Sequence, residues 1–87
     1  MTREKFLADD RFCTLDDSDL ACHGGNKPRH LQKQAAVEWL LDPQNSTAFC
    51  AVLDEDDDTV ATRDAHGNVV WIDLRNFVGN GFAVPAQ

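Results

Sequence analysis

Long apolar runs and clustered positive charge are both missing from this chain of 87 residues. The sequence contains no run of about 18 apolar residues, the length needed to span a membrane, and residues 1–20 have no apolar core of the kind that secretory signals use. We therefore expect a cytoplasmic protein. The eight Lys and Arg residues are scattered, which argues against direct binding to nucleic acid, because such binding needs clustered positive charge.

Cysteine is scarce as well. The three Cys residues are odd in number and irregularly spaced, so they do not suggest a disulfide framework and we expect reduced thiols. A zinc ion would have to use residues that lack the close spacing of structural zinc sites, namely Cys13, Cys22, His23 and His30. The sequence therefore predicts no zinc site.

The motifs of common enzyme sites are also missing, since the chain has no GxSxG, P-loop or HExxH pattern. Cys22 and His23 are neighbours in the sequence, but adjacent residues on a helix do not face each other and cannot act as a nucleophile and its base. We predict a protein without catalytic activity and without a cofactor.

What the chain does contain is enough apolar material to fold. Hydrophobic residues make up 43% of the sequence, with two Trp and five Phe, which is too much for a disordered tail even at a net charge of −7. A chain of this size buries only about 60 to 65% of the surface that its unfolded form exposes, so its core is thin. We predict one domain over residues 1–87, with an α+β fold because helical patterns precede strand patterns.

Two helices are predicted in the first half. An N-terminal helical segment over residues 15–22 starts at a capping-box pattern that begins with Thr14, and it stops at Gly24. The main helix covers residues 28–41, with Asn26 as its cap. Its apolar residues recur at three- and four-residue spacing and predict one buried face. They include Leu31, Ala35, Ala36, Trp39 and Leu40.

Three runs rich in β-branched and aromatic residues follow, and they predict a three-stranded antiparallel meander. The predicted strands cover residues 48–53, 59–64 and 68–74. Alternation along the last strand gives Val70 and Trp71 opposite faces, and we expect the Val70 face to pack on the main helix. Trp39 should then lie in the helix–sheet core, and Trp71 on the other face of the sheet.

Five consecutive acids lie between the first two predicted strands: Asp54, Glu55, Asp56, Asp57 and Asp58. Because like charges repel and cannot be buried together, we predict a hairpin tip that points into water. The odd-numbered spacing of Asp54, Asp56 and Asp58 is that of a calcium loop. However, Thr59 stands where such a loop needs Gly, and Ala65 where it needs Glu, so we predict no dedicated calcium site.

A second acidic cluster occurs in the first helical stretch and contains Asp9, Asp10, Asp16, Asp17 and Asp19. If this cluster and the hairpin tip share a face, their carboxylates imitate the charge of a phosphate backbone. The predicted partner-binding residues are therefore the five acids at 54–58 together with Asp16, Asp17, Asp19 and Trp71.

The function predicted from these features is non-enzymatic binding, and thereby inhibition or regulation, of a basic protein such as a nucleic-acid-binding complex or a nuclease. In size and charge the chain resembles the small acidic proteins of phages and mobile elements that block host nucleases, including anti-CRISPR proteins. The resemblance implies action in the host cytosol.

Two other interpretations stay open. The acid run is also typical of a solvated turn that aids solubility and blocks association between sheet edges. Alternatively, the chain is a homo-oligomeric or regulatory interaction module whose apolar surface uses Trp71, Phe77 and Phe82. Salt separates charge-driven from apolar binding, because only an electrostatic complex weakens steeply as ionic strength rises.

Overall fold

The computed structural model describes residues 1–78, which contain three α-helices and one sheet of four strands. The α+β class predicted from the sequence is confirmed. A short 3-10 turn, Leu74–Asn76, follows the last strand. The elements are α1 (Arg3–Leu7), β1 (Phe12–Thr14), α2 (Asp17–Gly24), α3 (Arg29–Leu40), β2 (Ala51–Asp54), β3 (Thr59–Arg63) and β4 (Val69–Asp73).

The sheet is mixed and has the strand order β1-β2-β3-β4. Strands β2, β3 and β4 form the predicted antiparallel meander, but β1 adds a fourth strand that runs parallel to β2, with Cys13 opposite Val52. The prediction of a purely antiparallel three-stranded sheet is therefore wrong. Strand β2 also starts later than predicted, because the backbone N–H of Phe49 donates to the carbonyl of Leu40 and belongs to the loop after α3.

One face of the sheet is covered by α1 and by the segment after β4. The rings of Phe6, Phe12 and Phe77 form a compact cluster there, with centroids 4.6 to 5.8 Å apart. They pack on Leu53 and Val60 from the two central strands, and Phe77 is only 1% exposed. This aromatic cluster closes the core on the side of the sheet away from α3.

The opposite face of the sheet is covered by α3. Val37 and Leu40 pack on Val52 and Ala61, with Val69 at the margin of the cluster. Strand β4 thus turns its Val69 face toward α3, and the prediction that the Val70 face packs there is wrong. The sequence pattern misleads because both faces of this strand are partly covered, one by α3 and the other by the aromatic cluster.

Both tryptophans are partly exposed, and to almost the same extent, so the prediction that Trp39 is buried is wrong. Trp39 is 40% exposed and its ring stacks on His23, with centroids 4.6 Å apart. Each residue turns a helix by about 100°, so burial of Leu40 leaves Trp39 at the side of the buried stripe. Trp71 is 41% exposed and lies on the α3 side of the sheet, not on the opposite side as predicted.

The junction between α2 and α3 holds these helices in close contact. Helix α2 is capped by Asp16, not Thr14, because Thr14 pairs with Leu53 in the sheet. A Cβ atom on Gly24 would lie 2.5 Å from the Cα of Gln32, so the close approach of the two helices requires glycine there. Helix α3 begins after Pro28 with no side-chain cap, and Asn26 does not serve as one. Among residues 1–78, no helix has the length and apolar character of a membrane span.

Candidate functional site

The acid run begins inside the sheet. Asp54 is the last residue of β2 and only 4% exposed, so the prediction of a wholly solvated tip is wrong at this position. One carboxylate oxygen of Asp54 accepts the backbone N–H of Asp56 at 3.1 Å and shapes the turn. Asp58 has φ = 52°, a left-handed conformation that Asp tolerates better than most residues, and it leads the chain into β3. Glu55, Asp56, Asp57 and Asp58 are exposed.

The buried carboxylate of Asp54 is neutralised by Lys33 from α3. The ammonium group of Lys33 donates a hydrogen bond to Asp54 and lies 3.6 Å from a carboxylate oxygen of Asp57. The hydrogen bond to Asp54 raises the pKa of Lys33, so this side chain keeps its positive charge at physiological pH. Lys33 therefore serves the site as a fixed charge and not as a neutral amine nucleophile.

Arg29 connects the two acidic clusters of the sequence. Its guanidinium lies 3.5 Å from a carboxylate oxygen of Asp17 and 3.0 Å from one of Asp56. The hydrogen bond to Asp56 raises the pKa of Arg29. The N-terminal end of α2 and the β2–β3 turn thus face each other across one arginine.

Arg3 binds the other side of the β2–β3 turn. Its guanidinium donates to the carboxylate of Asp58 and to the backbone carbonyl of Glu55, the latter at 3.2 Å. A carboxylate oxygen of Glu55 lies 3.6 Å away. Three cations from distant parts of the chain, Arg3, Arg29 and Lys33, therefore surround the acid run.

These residues form one surface, which we call the acidic face. Its carboxylates are those of Asp16, Asp17, Asp54, Glu55, Asp56, Asp57 and Asp58. Seven carboxylates face three cations, which leaves four negative charges in excess. A cavity of about 370 Å³ separates the α2 part of this face from the β2–β3 turn, with Arg29 in its wall.

The remaining predicted acids are used elsewhere. Asp19 completes the capping box of α2, since its carboxylate accepts the backbone N–H of Asp16 at 3.1 Å. Asp9 pairs with Arg11, which lowers the pKa of that carboxyl to about 2. Neither Asp9 nor Asp10 lines the cavity of the acidic face.

A larger cleft of about 470 Å³ lies beside the acidic face, between the first turns of α3 and the sheet. The Lys33–Asp54 pair lies in its wall, and Thr59 contributes from β3. Its other lining residues come from α3, the β2–β3 turn and β4, and they are His30, Gln34, Asp57 and Trp71. The exposed Trp71, which the sequence indicated as a contact residue, is thus part of this cleft. Phe77 is buried in the core and cannot join Trp71 in an exposed patch, and Phe82 lies outside the described residues.

The cations of the site were not among the residues predicted from the sequence. Arg29 and Lys33 are four positions apart and therefore share one face of α3, away from its apolar stripe. A pair of basic residues on one helix face, together with a run of acids elsewhere in the chain, is the sequence signal that could have indicated this contact. Arg3 gives no such signal, because it is 52 positions from Glu55.

Two observations concern metal binding and thiol reactivity in the described part of the chain, residues 1–78. No group of three or more His, Cys, Asp or Glu side chains there could hold a metal ion. Burial raises the pKa of the Cys13 thiol to about 12, which keeps it protonated and unreactive. Comparison with family models, curated proteins and solved structures gave no match.

Proposed function

We propose that this chain is a non-enzymatic binding protein whose acidic face docks on a basic, nucleic-acid-binding protein and inhibits or regulates it. The observation that carries the proposal is the charge left on that face: four negative charges remain after pairing with Arg3, Arg29 and Lys33. Carboxylates in such numbers occupy a basic surface as phosphates do, and their field speeds the encounter.

The arrangement of the charges supports mimicry over simple solubility. Arg29 lies within ion-pair distance of both Asp17 and Asp56, so the fold holds two elements that are far apart in sequence with their carboxylates on one face. The same side chains stay accessible, with 91% of Asp17 and 67% of Asp56 exposed. A preorganised set of charges loses little conformational entropy on binding, which favours affinity.

The setting that we propose is the cytoplasm of a host cell. Small size and strong acidity are shared with inhibitors that phages and mobile elements direct against host nucleases, anti-CRISPR proteins included, and such a protein acts in the host cytoplasm. The partner class follows from the same charge argument, because nuclease and nucleic-acid-binding surfaces are basic.

The test compares two triple variants with equal loss of charge. Asp17→Asn/Asp56→Asn/Asp57→Asn removes three of the four excess negative charges of the acidic face, and Glu38→Gln/Asp42→Asn/Asp64→Asn removes three negative charges near the far end of β3. Glu38 pairs with Arg63 at the far end of β3, and Asp64 follows that strand, so the control leaves the acidic face intact.

Each protein is immobilised and exposed to the heparin-retained fraction of a host extract, which is enriched in basic nucleic-acid-binding proteins. We expect the wild type and the far-end variant to capture the same protein, and the acidic-face variant to bind it at least tenfold more weakly, because each lost contact to Arg or Lys costs about 1.5 to 3 kcal/mol. Nucleic acid should compete with the captured protein, and affinity should fall as salt rises. Equal losses in the two variants, or capture that neither salt nor nucleic acid weakens, would contradict charge mimicry.

A further inference from the structure

We propose that the cleft beside the acidic face receives an arginine side chain of the basic partner, with its guanidinium stacked on Trp71 and hydrogen-bonded to Asp57. This inference rests on the proposed function and assigns a specific contact within it. It concerns the cleft of about 470 Å³ between α3 and the sheet, a volume within the range of about 300 to 1,000 Å³ that is typical of ligand pockets.

The charge in the cleft calls for one more cation. Two carboxylates, those of Asp54 and Asp57, line the cleft together with one ammonium group, that of Lys33, and the imidazole of His30. Lys33 donates its hydrogen bond to Asp54, while Asp57 stays 3.6 Å away with 66% of its side chain exposed. One carboxylate therefore keeps hydrogen-bonding capacity toward the open cleft, and a monovalent cation would neutralise it.

Trp71 supplies a flat apolar surface beside this carboxylate. It is 41% exposed although it lies on the α3 side of the sheet, next to the buried pair of Val52 and Ala61 in the neighbouring strands. Trp39 already stacks on His23, whereas no ring or guanidinium within residues 1–78 stacks on Trp71. An indole face is the best aromatic partner for a cation, and contact with a guanidinium also removes its apolar surface from water.

Arginine fits this cleft better than lysine. A guanidinium is planar and weakly hydrated, so it can stack on the indole of Trp71 while its N–H groups reach the carboxylate of Asp57. A lysine ammonium is a compact, strongly hydrated charge and would meet the like charge of Lys33 without the compensation of stacking. Arginine is also the residue that basic proteins use for bidentate phosphate contacts, so a partner that recognises nucleic acid presents such side chains.

The first experiment keeps Trp71 native and removes the emission of Trp39 with Trp39→Phe, which preserves an aromatic ring against His23. An arginine-rich peptide is then titrated and compared with a lysine peptide of equal length and charge. We expect the arginine peptide to shift or quench Trp71 emission at concentrations at least tenfold lower than the lysine peptide. Equal responses to both peptides, or no response to either, would overturn the inference.

The second experiment measures binding of the captured partner by calorimetry with Trp71→Leu and Trp71→Phe. We expect Trp71→Leu to weaken binding about tenfold and Trp71→Phe to restore part of the loss, with thermal unfolding of both variants recorded to confirm that they fold. If Trp71→Leu bound like wild type while Asp17→Asn/Asp56→Asn lost binding, the arginine site would be wrong and the proposed function would stand. If neither set of changes affected binding, both proposals would fail.

Discussion

At the scale of single residues, the Lys33–Asp54 pair decides how the acid run can exist beside a hydrophobic strand. Asp54 is almost fully buried, and a buried carboxylate is tolerated only when a cation and hydrogen bonds replace its water. The pKa of Lys33 is raised above its ordinary value of 10.5, so the stabilisation from this pair is fully present at neutral pH. The contribution of the Lys33 charge is lost as the pH rises through the raised folded-state pKa.

Replacing Asp54 with Asn should destabilise the protein by about 1.5 to 3 kcal/mol, because the ammonium group of Lys33 loses its hydrogen-bonded counter-ion in a poorly hydrated site. Asp57→Asn is the matched control: it relieves the same repulsion within the acid run, but its side chain is exposed. The control should change the free energy of unfolding by less than about 0.5 kcal/mol. Urea denaturation at pH 7 measures the free energy of unfolding of both variants. Equal losses would contradict a specific stabilising role of the Lys33–Asp54 pair.

The sequence predicts part of this site and not the rest. A run of five acids must find solvent or counter-charges, and for the four exposed acids the prediction of exposure is confirmed. Their partners Arg3 and Arg29 are far away in the chain, and nothing in local spacing ties either to one carboxylate. The basic pair Arg29 and Lys33 on one face of α3 indicates an acidic surface nearby, but the tertiary fold selects which carboxylate each cation meets.

At the scale of secondary-structure elements, α3 has two different tasks along its length. Its second half packs on the sheet through Val37 and Leu40, while its first half stands over the cleft and extends Arg29 and Lys33 toward the acidic face. Helix α3 therefore contributes side chains to both the core and the acidic face. Its rotation about its own axis determines which side chains reach each of them.

The rotation of α3 can be tested with two neighbouring residues. Leu40→Ala removes a side chain that is 6% exposed and should cost about 2 to 5 kcal/mol. Trp39→Ala removes a larger but 40% exposed side chain and should cost only about 0.5 to 1.5 kcal/mol, mainly the stack on His23. Thermal or urea unfolding compares them. A cost for Trp39→Ala as large as that of Leu40→Ala would mean that α3 is rotated toward the originally predicted orientation.

The elements that sequence patterns missed are the short ones. Helix α1 has five residues and β1 has three, so neither is long enough to show the periodicity of a helix or the alternation of a strand. The main helix is predicted within one residue at each end, because its apolar spacing repeats over several turns and prolines flank it. The facing of β4 was inverted for a related reason: alternation identifies two faces but does not say which one a given helix covers.

At the scale of the whole molecule, charge is distributed unevenly. Four of the seven net negative charges belong to the acidic face, where α2 and the β2–β3 turn meet. Such an asymmetric distribution orients an approaching basic protein before contact. At 0.15 M salt the screening length of this attraction is about 8 Å. Under the proposed function, orientation and affinity therefore come from the same residues.

The parallel pairing of β1 with β2 has a consequence for the time course of folding. Cys13 and Val52 are 39 positions apart, whereas the β2–β3 hairpin joins Asp54 to Thr59 across a short turn. Closing the longer loop costs more entropy, so we expect the hairpin to form in the transition state and β1 to dock after it. Val60→Ala should then mainly slow folding, and Phe12→Leu should mainly speed unfolding, as measured by stopped-flow chevrons.

A φ-value at Phe12 equal to that at Val60 would contradict this order. If the order holds, the edge of β2 that β1 later covers is open during the last stage of folding, with its backbone N–H and C=O groups unpaired. Premature association of two chains would then occur through that edge, and the yield of correctly folded protein should fall as refolding concentration rises. The acid run lies at the end of the same strand, and repulsion between the acid runs of two chains opposes such contacts. High salt screens this repulsion, so it should increase aggregation during refolding.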